Sequence, residues 1–192
     1  MALKIVVIFG SVRKSRQGIK AAYFIVNSLK KRKHDVVLVD PLEYKLPLLE
    51  KTYGEYKKGK AGKNLEKLAS LYKSAEAFVI VTAEYNHLPP PALTNLLDYF
   101  LKEYFFRPSA IVSYSMGEFG GARAAVHLRD MLSELGMPSI PSSFSISKIQ
   151  NALDEQGKPL DKKLNKNLKK FLDELEWYAK ALKVARKKGV PY

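Results

Sequence analysis

A chain of 192 residues, 46% of them hydrophobic, has the length for one substantial core and therefore one domain. It carries no cysteine, which excludes disulfide staples, thiolate metal sites and a cysteine nucleophile. The net charge of +14 invites a polyanionic partner, but 26 lysines stand against seven arginines. Lysines scattered over helix faces signal solvated surface, so nucleic acid is not the expected partner.

The first apolar run, 3–9, is rich in Val and Ile and reads as a strand covered on both faces. It is too short for a secretory core, and no later stretch approaches bilayer-spanning length, so the expected compartment is cytoplasmic, with no membrane. Residues 10–18, Gly-Ser-Val-Arg-Lys-Ser-Arg-Gln-Gly, come next. After them Ile19, Ala22, Tyr23, Val26 and Leu29 recur at helical intervals, and a cationic last turn suits the negative end of a helix. A turn placed there lets the helix aim unpaired N–H groups at a phosphate. Ser11 and Ser15 offer hydroxyls, Arg13 or Arg16 a charged fork, and Gly10 and Gly18 close backbone approach. On its own the stretch reads equally well as a polar helix cap. Neither the dinucleotide glycine fingerprint nor a P-loop is present, which argues against a nucleoside triphosphate.

A second strand is expected at 36–39, followed by a long irregular connection, 46–64, of the length that often carries function. Leu65, Leu68, Ala69 and Tyr72 mark a helix, and 77–82 a third strand. That strand runs into Ala83-Glu84-Tyr85-Asn86-His87-Leu88 and three prolines, which stiffen the turn and remove donors. The N–H groups around Glu84 to Asn86 could meet the polar edge of a flat heterocycle, with Tyr85 as an apolar wall. Ala92, Leu96, Tyr99 and Phe100 continue as a helix, and Tyr104-Phe105-Phe106 reads as core or subunit contact. The fourth strand, 110–113, leads into Tyr114-Ser115-Met116-Gly117-Glu118-Phe119-Gly120-Gly121, where three glycines let the backbone pass close to a ligand. A helix bearing Ala124, Leu128, Met131, Leu132 and Leu135 stops at Gly136, a fifth strand follows at 139–144, and 161–187 forms one long helix capped by Asp161.

Strands alternating with helices imply an α/β domain with a five-stranded parallel sheet of order 2-1-3-4-5 between two helical layers. The three unusual turns follow strands one, three and four, neighbours in that order, so they converge at one end of the sheet. The three histidines are dispersed without paired spacing, which argues against a metal site. His34 is expected at the surface, His127 within a helix, and His87 beside the converging turns. Arg123 is expected to pair with Glu118 or Asp130.

Gly-Ser-Val-Arg with Ser15, then Ala-Glu-Tyr-Asn-His before proline with Leu93-Thr94-Asn95-Leu96-Leu97-Asp98, and Gly-Gly-Ala-Arg-Ala-Ala with Leu128-Arg129, resemble the NADPH-dependent FMN reductase family of quinone, azo and chromate reductases. The similarity runs over residues 4–144, with Ala83 and Pro90-Pro91 where the family often has proline and proline-glycine. The resemblance implies a flavodoxin-like three-layer sandwich that binds FMN. It assigns Ser11, Arg13, Ser15, Gln17 and Gly18 to the FMN phosphate, Glu84, Tyr85, Asn86 and His87 to the isoalloxazine, and Ser115 and Gly117 to a third ring-side loop. It implies NADPH or NADH as electron donor, a small-molecule electron acceptor, ping-pong kinetics with no catalytic side chain, and a homodimer or homotetramer. The rival readings are a non-catalytic flavodoxin-like electron carrier and a basic nucleic-acid-binding module. A phosphoacceptor receiver domain would need acidic residues where the first strand ends in Phe9-Gly10.

Overall fold

A computed structural model describes residues 2–192. The strands β1 (Lys4–Phe9), β2 (Asp35–Val39), β3 (Ala77–Ala83), β4 (Ser109–Tyr114) and β5 (Ser139–Ile146) form one sheet of order β2-β1-β3-β4-β5. Every neighbouring pair is parallel, as expected from the alternation of strands with helices. The helices are α1 (Ile19–Lys31), α2 (Pro41–Tyr44), α3 (Lys63–Ser74), α4 (Pro91–Asp98), α5 (Ala122–Glu134), α6 (Ile149–Ala152) and α7 (Lys162–Lys187). The fold is flavodoxin-like.

All residues of β3 and β4 are buried, because successive side chains enter opposite helical layers. Ile5, Val7, Val79, Val81 and Val112 pack toward α1 and α7. Val6, Ile8, Phe78, Ile80 and Ile111 pack toward α3, α4 and α5. On that second side Tyr72, Phe78, Phe100 and Tyr104 interlock edge-to-face and tilted, with centroids 5.0 to 6.3 Å apart. Tyr104 is thus core, as expected.

At α7 the Asp161 carboxylate accepts from the Lys163 N–H at 2.8 Å, confirming the cap, and Leu168, Phe171, Leu172, Leu175 and Ala179 form the buried stripe. Arg32 binds Asp173 and Glu176, each at 2.7 Å, joining the end of α1 to α7. His34 is buried rather than on the surface. Its Nδ1 accepts from the Leu3 N–H at 3.2 Å, and its Nε2 lies 3.1 Å from Glu176. The lysine-rich neighbourhood disguised a residue that seals the sheet edge against α7. His127 lies exposed on α5.

The connection 46–64 is a packed strap containing the 3-10 turn Tyr53–Glu55. The Asn95 side chain accepts from the Leu49 N–H at 2.8 Å and donates to the Pro47 carbonyl at 2.7 Å, holding the strap on α4.

Candidate functional site

The first turn leaves β1 and enters α1 at Gly18, an N-cap without a side-chain hydrogen bond, and no acidic residue stands in the first helical turn. The positive end of the helix is therefore uncompensated. Among the described residues, the backbone N–H groups of Ser15, Arg16, Gln17 and Gly18 have no hydrogen-bond partner. The two arginines have different roles. Arg16 grips Asp40 with both guanidinium nitrogens, at 2.5 and 2.6 Å, and donates to the Ser11 carbonyl at 3.2 Å. The hydrogen bond to Asp40 holds its pKa above the ordinary arginine value in spite of burial. Asp40 also accepts from the Leu42 N–H to cap α2, so Arg16 braces the loop. Arg13 is exposed, over the Tyr85 ring with its guanidinium carbon 6.0 Å from the centroid, and is left as the free fork.

The glycines of this turn serve packing rather than ligand approach. A Cβ on Gly10 would meet Leu93 at 2.8 Å, and one on Gly18 would fall within the Tyr114 ring. Tyr114 is buried beneath the turn, stacked 6.4 Å from Phe9, and burial raises its pKa far above the usual phenol value, so the hydroxyl stays protonated.

After β3, Asn86 and His87 both adopt positive φ, 52° and 69°, while Tyr85 and Leu88 exchange hydrogen bonds of 2.9 and 3.0 Å. This is a two-residue hairpin turn that favours Asn, with His as the unusual occupant. It uses the Tyr85 N–H that was expected to meet a ligand, and leaves those of Asn86 and His87 without a partner among the described residues. The Glu84 carboxylate accepts from the Arg123 and Ala124 N–H groups at 3.1 and 3.3 Å. It caps α5, whose N-cap Gly121 has no side chain to do so and sits at φ 78°. Arg123 accordingly faces Glu84 at 3.8 Å and lies over Phe119, instead of pairing with Glu118 or Asp130. Glu118 pairs with Lys148 at 2.5 Å.

The three turns enclose a cleft of 260 Å³ at the carboxyl ends of the strands. Ser11, Arg13, Ser15, Gln17, Glu84, Tyr85 and Ser115 line it. Gly18, Asn86, His87 and Gly117 stand outside its wall. Gly18 lies against Tyr114, Asn86 and His87 form the hairpin turn, and the Gly117 carbonyl accepts from the Ser115 hydroxyl at 3.2 Å. The wall also includes Tyr114, Met116 and Ile149, which the sequence reading missed. Tyr114 and Met116 stand in the third turn of that reading but with no part in ligand contact, and Ile149 lies beyond the last recognisable motif. Among the described residues no cluster of His, Asp or Glu could hold a metal, and no helix is long and apolar enough to cross a membrane.

Unspent N–H groups, two serine hydroxyls and a free arginine fit a phosphate, and Tyr85, Met116 and Ile149 fit a flat apolar body. The comparisons agree with that chemistry. A model of the NADPH-dependent FMN reductase family matches residues 3–151. An NAD(P)H-dependent FMN reductase of Pseudomonas aeruginosa is 32% identical over 124 residues, covering 62% of this chain and 67% of that protein. A quinone reductase of Escherichia coli is 37% identical over 97 residues, 48% of this chain and about half, 52%, of its own length. Among solved structures, the flavoenzyme NAD(P)H:(acceptor) oxidoreductase FerB of Paracoccus denitrificans superposes with a TM-score of 0.73 at 23% identity, covering 93% of this chain and 98% of that one. The chain belongs to the NADPH-dependent FMN reductase family.

Proposed function

We propose that the protein binds FMN in this cleft and passes electrons from NADPH or NADH to a small-molecule acceptor such as a quinone or a free flavin. The observation that carries the reading is the convergence of three turns around an unspent set of phosphate donors. When bound, FMN supplies the redox chemistry, accepting a hydride from the nicotinamide and releasing electrons to the acceptor.

The chain's own residues bind and orient. Ser11, Ser15, Arg13 and the N–H groups of Gln17 and Gly18 would hold the phosphate, while Arg16 and Asp40 keep the loop in place. Tyr85 and Met116, which line the cleft, would border the ring, and the Asn86 and His87 N–H groups would be available to its polar edge. Glu84 acts at one remove, fixing the second turn to the start of α5. No side chain is required as nucleophile. A single open face used in turn by donor and acceptor would give ping-pong kinetics. A homodimer or homotetramer in the cytoplasm completes the reading.

The test is the visible spectrum of the protein after FMN addition and removal of excess, followed by anaerobic NADPH or NADH. Retained colour that bleaches within seconds supports the reductase. Retained flavin that stays oxidised supports the electron carrier instead, and no retained flavin overturns the reading.

A further inference from the structure

The opposite end of the sheet holds a second cavity, of 520 Å³, between the segment preceding β4 and the end of α7. Three cations, Lys102, Arg107 and Arg186, share its wall with three rings, Phe105, Phe106 and Tyr192. The ring centroids lie 5.0 to 6.0 Å apart. From these residues we propose that the cavity binds a flat aromatic compound bearing an anionic group, a carboxylate or a phosphate.

Among the described residues, no carboxylate pairs directly with either arginine there. Two other half-buried arginines have carboxylate partners, Arg16 with Asp40 and Arg32 with Asp173 and Glu176, while Arg129 donates to the Ile140 and Pro141 carbonyls. Arg107 donates to three carbonyls, those of Ala75, Phe105 and Lys73, and Arg186 to the carbonyl of Phe106. Carbonyls hold a guanidinium in place without neutralising it. The nearby carboxylates are already engaged, Glu103 with Lys73 at 3.4 Å and Glu76 with Lys183. Burial lowers the pKa of both arginines, and the charge of Arg186 lowers that of Arg107 further, while Glu103 and Glu76 offset this only in part. An anion between them would relieve both the desolvation and the repulsion.

The backbone gives an independent indication. Phe106 sits at φ 61°, a region that bulky residues avoid, and is held there by its N–H to the Gly136 carbonyl at 3.1 Å and by Arg186 on its own carbonyl. In that conformation its ring lies 5.0 Å from the ring of Tyr192, which is itself largely exposed. The wall suits stacking of a planar ligand whose charge meets the guanidinium forks. β4 separates this cavity from the first cleft by about 20 Å, the rise of six strand residues. Within one chain the second cavity is therefore separate from the first cleft.

The test is calorimetric titration of the full chain, with and without added FMN, using 1-naphthoate, AMP and inorganic phosphate as probes. The expected result is binding of 1-naphthoate or AMP at one per chain, about tenfold or more above inorganic phosphate, with the better probe identifying the anionic group. Arg186→Gln and the exposed Tyr192→Ala each weaken that probe by about fivefold or more, while binding is indifferent to FMN. Absence of binding by both ring-bearing probes below about 1 mM overturns the proposal. So does binding that Tyr192→Ala and Lys102→Glu leave unchanged, or binding that FMN displaces. Because FMN is an added component, failure here is distinguishable from failure of the flavin reading.

Discussion

At the scale of single residues, the first turn separates roles that its sequence does not distinguish. Arg13 and Arg16 are three positions apart, yet Asp40 takes Arg16 and leaves Arg13 free. Nothing local to 10–18 announces Asp40, because a partner 24 residues away leaves no pattern in the turn itself. Gly18, expected at the phosphate, is required by packing. Its missing Cβ makes room for the Tyr114 ring. We predict that Gly18→Ala destabilises the fold by about 1–3 kcal/mol in urea unfolding, as an over-packed core does. It also weakens FMN binding by displacing the start of α1. Replacing Tyr114 by Ser removes the clash, so Gly18→Ala should cost little in a Tyr114→Ser background. Equal costs in both backgrounds would show that the ring contact does not explain the glycine.

At the scale of elements, Glu84 links the turn after β3 to α5. Loss of an N-cap costs about 1 kcal/mol. Glu84→Ala is therefore expected to lower stability by about that amount and to loosen the loop before α5, read as faster amide exchange at Arg123 and Ala124. Glu84→Gln, which keeps an acceptor oxygen, should recover part of both effects. The junction of α7 with α1 carries a pH prediction. Hydrogen bonds from Lys169 and Arg32 hold Asp173 below the ordinary carboxylate pKa. Burial would raise Glu176, but its bonds to Arg32 and His34 outweigh burial and lower it. Lys180 adds its charge to Glu176 at 3.4 Å. Carboxylates depressed in the folded state stabilise it above their unfolded pKa of about 4, and that stability is lost as pH falls through the folded values. The melting temperature of the Glu176→Gln variant should therefore lie below that of the parent at pH 7 and converge on it in acid. A constant difference across that range would exclude titration of Glu176 as the cause.

At the scale of the whole molecule, the architecture was legible because parallel strands buried on both faces must be continuous apolar runs, and 3–9, 77–82 and 110–113 are such runs. The order of strands followed from the alternation with helices, and with it the convergence of the three turns. The burial of His34, the strap pinned by Asn95 and the Glu84 cap were not legible, since each depends on a contact between segments far apart in sequence. Most of the lysines are exposed, but the two arginines without carboxylate partners beside Phe105 and Phe106 emerge only when α7 folds back to the sheet.

The account rests on the first turn recognising a phosphate, and the most direct measurement is a paired titration with FMN and riboflavin, which differ by that group alone. A site built from Arg13, two serines and free helix N–H groups predicts FMN binding about a hundredfold or more tighter than riboflavin, with Arg13→Ala removing about tenfold of that preference. Equal affinity for the two flavins, or a preference untouched by Arg13→Ala, would contradict it.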